Sequence, residues 1–427
     1  MTIDARPLPG LVPPGPGEKY DSSRQLLGWL MQNMAEFGSV YRAFLFGAYA
    51  YVVSEPRLVD HVLRENWQNY RKGRDNKRVA LLLDRGLMVS EGELWKKQRR
   101  MIQPVFHPDA VVRLWDVLVN SSNLLLAKWT NLAAEHQPIN ITRETSLWVL
   151  EVVLRSLFGE DYGAVAPKFE TLSTESTRDL EFAQKFRSLR KVVSDVIEDR
   201  RQTGRISVDI LGMLMEARDR VTGTAMPDGQ LLSEMMTLVV AGHETTASTL
   251  SWFWYLLSEH PAVEASLSQE LSQAFPKDLD GLAAFPRTRQ ALEETMRLYP
   301  PGWLLTRRAI NDDLLGDYFV PAGTEIYISP YLIQRNPSLW ESPEVFDPDR
   351  FSPEQVAHRH PLASLPFSAG PRKCVGELLA RTEMQIHAMT VAPKLRLHWI
   401  SGDPTDIEAG VNLRCRQDLI FAAELKS

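Results

Sequence analysis

The chain of 427 residues has only two cysteines, Cys374 and Cys415, so at most one bridge can form and a disulfide-stapled scaffold is excluded. Its 9 histidines are scattered, which argues against a histidine-rich metal store. An excess of positive charge is missing too. With 48 basic and 54 acidic residues the net charge is −6, and nothing global favours binding to nucleic acid. The N-terminal MTIDARPLPGLVPPGPGEKY carries an early acid and a proline–glycine cluster where an export signal needs continuous apolar sequence. A cytoplasmic protein without a membrane anchor is therefore expected. The most apolar stretch, residues 231–257, contains Glu234, His243 and Glu244, which disfavour a bilayer span and predict a long buried helix instead.

Composition is otherwise that of a globular protein: 44% hydrophobic and 24% charged, with 11 Trp and 16 Phe to fill a large core. At about 150 residues per domain the length allows two or three domains. No repeat period and no Gly/Ser linker divides it, so one domain over 1–427 is expected. The aromatic run 44–53, interrupted by Gly47, predicts a strand pair. From about 56 to 298 an apolar recurrence of three to four residues predicts helices, among them 111–129, 147–157 and 189–200. After Pro300-Pro301, turn signals such as Pro321-Ala322-Gly323 separate short runs such as 326–328, the texture of strands and loops. A last helix over 376–395 starts just beyond Cys374, and short strands follow near 412–415 and 419–422. The expected fold is mainly α with a small β lobe, drawn from about 40–55 and 303–330, beside a helical core.

Around the first cysteine the sequence reads Phe367-Ser368-Ala369-Gly370-Pro371-Arg372-Lys373-Cys374-Val375-Gly376. A thiolate that ligates iron must be held deprotonated, and a helix N-terminus supplies free N–H groups and positive potential for that. Gly370 and Gly376 would allow close backbone approach and unusual dihedrals, Pro371 would stiffen the loop, and Arg372 offers a fork for a carboxylate. A lone cysteine beside a basic loop is ordinarily just a buried residue. The ten-residue pattern F-x-x-G-x-R-x-C-x-G makes it more, because it resembles the haem-thiolate loop of the cytochrome P-450 superfamily. Ala380 falls where that family has a small residue, and Ser368 departs from a common glycine.

That resemblance implies haem b with Cys374 as its axial thiolate and metal ligand, Arg372 on a propionate and Phe367 against the sulfur side of the haem. It implies that the haem lies between the long central helix and the cysteine-loop helix. In the central helix, Ala241-Gly242-His243-Glu244-Thr245-Thr246 matches the family's oxygen-activation motif. By that likeness Glu244 and Thr245 are the acid and alcohol of proton delivery, and Ala241 and Gly242 line the oxygen pocket. Taken alone, the small residues and hydroxyls there would interrupt or bend the helix ladder, or Thr245 would simply back-bond to a carbonyl. A zinc-protease reading fails because Ala247 stands where a second histidine is needed.

Further motifs come in family order. Glu294-Thr295-Met296-Arg297 and Pro348-Asp349-Arg350-Phe351 resemble the two halves of a structural Glu–Arg–Arg triad. Trp95-Lys96-Lys97-Gln98-Arg99 resembles the helix whose Trp95 and Arg99 approach the propionates, with Trp95 in the manner of microsomal and fatty-acid-type members. Arg307 matches a third propionate arginine, with Arg308 beside it leaving the register open. The function implied is a monooxygenase that hydroxylates or epoxidises a lipophilic molecule, of fatty-acid, terpenoid or polyketide type, with O2. A haem-thiolate peroxygenase or isomerase and a non-catalytic haem sensor are the alternatives. No flavin, nicotinamide or iron–sulfur signature is present, so electrons are expected from an external ferredoxin or flavodoxin and its reductase. Lys96, Lys97, Arg100 and Lys373 form the expected docking patch of a monomer. By family analogy the substrate pocket draws on 76–88, 170–187, 235–241, 302–306 and the tail near Val411, with Leu81, Leu82, Leu83, Val239, Trp303, Leu304 and Leu305 as its apolar candidates.

Overall fold

The computed structural model describes residues 11–17, 19–21, 25–74, 79–80, 83–169 and 180–426, the side chains of 180–187 excepted. The substrate-pocket candidates Leu81 and Leu82, with most of the 170–187 stretch, lie outside the described residues.

The central helix, Asp228–Glu259, organises the core. It starts after Pro227 with Asp228 in its first turn, where an acid complements the helix dipole, and stops before Pro261. Buried residues occur on all its faces, as expected of a helix surrounded by others. Ile141–Phe158 runs against it. Gly242 makes that approach possible: a Cβ there would stand 3.1 Å from Val153 Cγ2. Gly242 thus serves helix packing as well as standing in the motif expected to line an oxygen pocket. Nor is the helix interrupted, since it is α-helical throughout Asp228–Glu259.

The β lobe is a five-stranded sheet in the order Val40–Leu45, Ala48–Val53, Glu325–Ile328, Leu305–Ala309, Tyr70–Lys72. Phe46 and Gly47 turn the first hairpin with φ of 52° and 82°, the doubly positive turn that suits strand twist. At the other edge, Lys72 lies opposite Arg307 and Arg71 opposite Arg308. The cysteine-loop helix spans Glu377–Val391, ending short of the expected 395 because Leu395 opens the strand Leu395–Ser401.

The Glu–Arg–Arg triad forms. Arg297 grips Glu294 with two hydrogen bonds of 2.6 and 2.8 Å, both side chains wholly buried, and Arg350 Nε lies 3.1 Å from Glu294 Oε1. Arg297 also donates to the carbonyls of Gln334 and Pro343, so the pair nails the helix Pro286–Leu298 to the loops before the cysteine. Among the described residues one stretch, Pro108–Ala134, is long and apolar enough to cross a membrane. A 3-10 turn at Val112–Leu114 breaks it, and Leu118, Leu125 and Trp129 are buried in the main core.

Candidate active site

The cysteine loop is built by two tight constraints. Gly370 has a φ of 71°, and a Cβ on it would stand 1.9 Å from the Leu63 carbonyl oxygen, so no other residue fits. Ser368 takes a φ of 61° without being glycine, and its hydroxyl is buried with no hydrogen-bond partner among the described residues. The Cys374 amide donates to the Phe367 carbonyl at 3.0 Å, and Arg381 lies over the Phe367 ring at 4.7 Å. Gly376 departs from expectation: it is the N-cap residue with an ordinary φ of −85°, and a Cβ there would stand 4.0 Å from the Cys374 sulfur. What glycine preserves at 376 is space beside the sulfur. By surface area Cys374 is exposed, yet burial is the leading influence on its thiol and pushes the pKa up. Both hold for a sulfur deep in the fold with one open face. Such a thiol ionises when a metal takes the proton's place.

Across from the loop, the central helix and the cysteine-loop helix are joined by Thr246 with Glu383 and by Trp254 Nε1 donating to His387 Nε2 at 3.0 Å. Burial pushes the Glu383 carboxyl up to about 8 and the His387 imidazole down to about 3, so both are neutral at pH 7. Ala241 is accessible although it sits in the middle of this buried helix, which marks an open face there. Thr245 Oγ1 donates to the Ala241 carbonyl at 2.8 Å. Among the described residues Glu244 pairs with no base: its Oε2 accepts from Asn412 Nδ2 at 2.9 Å. His243 faces the other way, 2.9 Å from the Ser146 hydroxyl.

Between the sheet edge and the loop lies a cluster of cations. Arg372 pairs with Glu91 and lies 4.3 Å over the Trp95 ring. Lys72 donates to the Met88 carbonyl, and its own backbone amide donates to Glu91 Oε1 at 2.8 Å. Burial, with Arg307 and Arg372 as like-charged neighbours, brings the Lys72 ammonium down to about 7; burial and Arg372 bring Arg307 down to about 10. Among the described residues three cations thus share one carboxylate, and the buried Nε of Arg372 has no hydrogen-bond partner. Like charges opposite each other on neighbouring strands are destabilising, so the cluster is suited to further anions. Arg308 turns aside to the Gly323 carbonyl and Glu325, which leaves Arg307 as the buried member of the adjacent pair. Arg99 is held elsewhere, donating to the Lys373 carbonyl at 2.6 Å and to Gln103 at 3.2 Å.

Comparison with known proteins supplies the family. The cytochrome P450 family model matches residues 9–188 and 169–417. The chain belongs to the cytochrome P450 family. This P450 is 31% identical over 398 residues to cyclooctat-9-en-7-ol 5-monooxygenase of Streptomyces melanosporofaciens, covering 87% of this chain and 85% of that one. It is 30% identical over 378 residues to cyclooctatin synthase of the same organism, covering 82% and 81%. Its fold matches a retinoic acid-bound cyanobacterial CYP120A1 with a TM-score of 0.85 at 23% identity, over 98% of this chain and 100% of the other.

P450s are haem-thiolate monooxygenases that bind haem b through a cysteine, use O2 and take electrons from a redox partner. The residues present fit that group. The only other cysteine, Cys415, is buried in a strand with its sulfur on the Asp403 carbonyl, while Cys374 has an open face and a glycine-kept space beside it. The surplus of positive charge at Lys72, Arg307 and Arg372 suits the two propionates. Sequence reasoning missed Lys72, Glu91 and Asn412. A lone lysine or asparagine carries no motif, and only the strand register and the hairpin bring them here. Of the apolar pocket candidates, Leu83, Val239 and Trp303 are buried, whereas Leu304 and Leu305 are partly open.

Proposed function

We propose that this P450, acting as one haem-bearing unit, hydroxylates or epoxidises a terpenoid-class substrate, with Cys374 as the axial ligand. The observation that carries the reading is the acid–alcohol pair Glu244 and Thr245 beside accessible Ala241 on a helix that is otherwise buried. When bound, haem b supplies transfer of one oxygen atom from O2, and an axial thiolate favours O–O cleavage. The chain supplies the rest. Lys72, Arg307 and Arg372 would hold the propionates, with Trp95 packed beneath Arg372. Thr245 Oγ1 releases its bond to the Ala241 carbonyl to present a proton, and Glu244 replenishes it. A peroxygenase or a haem sensor has no use for that relay. Terpenoid chemistry is favoured by the two Streptomyces relatives, whose names carry cyclooctat-9-en-7-ol and cyclooctatin.

Electrons come in this reading from an acidic ferredoxin or flavodoxin and its reductase, in the cytoplasm, to a monomeric P450. The expected docking patch is largely self-neutralised: Lys96 pairs with Glu93, Arg100 with Asp219 and Lys373 with Glu377. A neighbouring groove of 520 Å³, lined by Arg99, Arg113, Arg220 and His107 among others, is the better platform. Arg99 joins it to the cysteine loop through the Lys373 carbonyl. Reversing Arg113 and Arg220 to glutamate should slow electron transfer and flatten its salt dependence; unchanged rates would remove the groove from consideration.

The function is tested by a spin-state screen with cyclooctat-9-en-7-ol, retinoic acid and dodecanoic acid, followed by product identification. Conversion of the terpenoid supports the reading, and exclusive conversion of the fatty acid overturns the substrate class. Retention of the red-shifted thiolate Soret band by the reduced carbon monoxide complex of Cys374→Ala would overturn the ligand.

A further inference from the structure

The acid of the relay is held from the far end of the chain. Asn412 stands at the tip of the hairpin Ile407–Ala409 and Leu413–Cys415, and its side-chain amide donates to Glu244 Oε2 across 168 residues of sequence. Four hydrogen bonds fix the backbone on both sides of it. The Ser248 hydroxyl, one helical turn beyond Glu244, donates to the Leu413 carbonyl at 2.6 Å. The Leu413 amide donates to the Pro301 carbonyl at 3.0 Å, Trp303 Nε1 to the Gly410 carbonyl at 2.9 Å, and the Gly410 amide to the Asn412 carbonyl at 3.2 Å. An asparagine amide is well matched to this task. It donates without bringing a charge, whereas an arginine or lysine would lock the carboxylate in an ion pair and an aspartate would repel it. Among the described residues Oε1 of Glu244 has no donor, so the acid is pinned by one oxygen and can present the other.

We propose that Asn412 is a positioning residue for the proton-delivery acid: it orients the Glu244 carboxylate and ties it to the hairpin tip. The inference rests on the relay reading of Glu244 given above. A glutamate released from Asn412 regains its rotamers, so its carboxylate is no longer held in one orientation. The tip is also bonded at Pro301 and Trp303, next to the partly open Leu304 and Leu305.

The test uses the holoenzyme with Asn412→Leu, which is close in size but has no donor, and with Asn412→Asp, Asn412→Ser and Glu244→Gln, singly and combined. Two readouts are taken: the infrared C–O stretch of the reduced carbon monoxide complex, and the solvent isotope effect on reductant consumption with cyclooctat-9-en-7-ol as probe. Retention of the thiolate Soret band shows that each variant is folded. Asn412→Leu and Asn412→Asp should shift or split the C–O band and raise the isotope effect about twofold or more, Asn412→Ser should recover part of both, and none should add to Glu244→Gln, since coupled residues are non-additive. Wild-type values in Asn412→Leu, or equal effects with and without Glu244, overturn the role of Asn412. If Glu244→Gln changes both readouts and Asn412→Leu neither, only this inference fails; if Glu244→Gln changes neither, the relay reading fails and this one with it.

Discussion

Replacing Glu383 with glutamine tests how the two halves of the site are joined. Glu383 is 3% exposed, and its partner is the Thr246 hydroxyl on the central helix, next to Thr245. Burial raises its pKa to about 8, with the hydroxyl offsetting only part of the effect. An unfolded glutamate titrates near 4.3, so the folded state prefers the protonated form. The resulting stability is fully present below about pH 4.3 and is lost as pH rises toward 8, at about 1.4 kcal/mol per pH unit. Between pH 4.5 and pH 7 the wild type should therefore lose about 3 kcal/mol through this one group. Glutamine is isosteric, neutral at every pH and still able to bond Thr246. Glu383→Gln should match the wild type near pH 4.5 and exceed it by about 3 kcal/mol at pH 7. Urea unfolding of both holoproteins at several pH values, with equal m-values, measures the difference. Parallel stability curves from pH 5 to 8, or a variant weaker at pH 7, would refute the claim that Glu383 is held neutral.

Other perturbations probe the loop, the cation cluster and the triad. Ser368 has a φ of 61° and an unpartnered hydroxyl, so Ser368→Gly should raise stability by about 1 kcal/mol, read as a higher Tm; a lower Tm would show that the serine is not strained. Lys72, held down to about 7, regains its proton beside propionates and so offsets the proton that Cys374 gives up, and haem binding to the apoprotein at pH 8 should release about one more proton in Lys72→Met than in the wild type. Calorimetry in two buffers checks this; equal release in the two proteins would refute it, and Lys72→Met should also lose about tenfold in haem affinity. Arg297→Met strands a buried Glu294 and should cost about 3–5 kcal/mol, seen as loss of folded holoprotein; a stable variant would deny the triad its structural role.

The legible parts share a physical character. The cysteine loop, Glu244-Thr245 and the Glu294–Arg297 spacing are contiguous, so each is readable within a few residues. Helix existence was equally plain, since the apolar recurrence at 147–157 lies inside the observed Ile141–Phe158. Boundaries were less so: the final helix stops at Val391 because Leu395 is taken by a strand that pairs with Ile420–Leu425. The contacts of Gly242 with Val153 and of Gly376 with the Cys374 sulfur join different elements or depend on the loop's path, so neither is readable from the motif.

By itself the sequence determined a mainly helical protein with Cys374 in a loop before a helix, because those features depend on local order and composition, and the resemblance of that loop to the P450 motif implied haem-thiolate chemistry. Tertiary structure alone decided which charges meet. Lys72 faces Arg307 through an antiparallel register, Asn412 reaches Glu244 from a hairpin tip, and Glu383 settles beside Thr246 between two packed helices. Each pairing joins residues distant in the chain. Its energy comes from burial that exists only once the elements have docked.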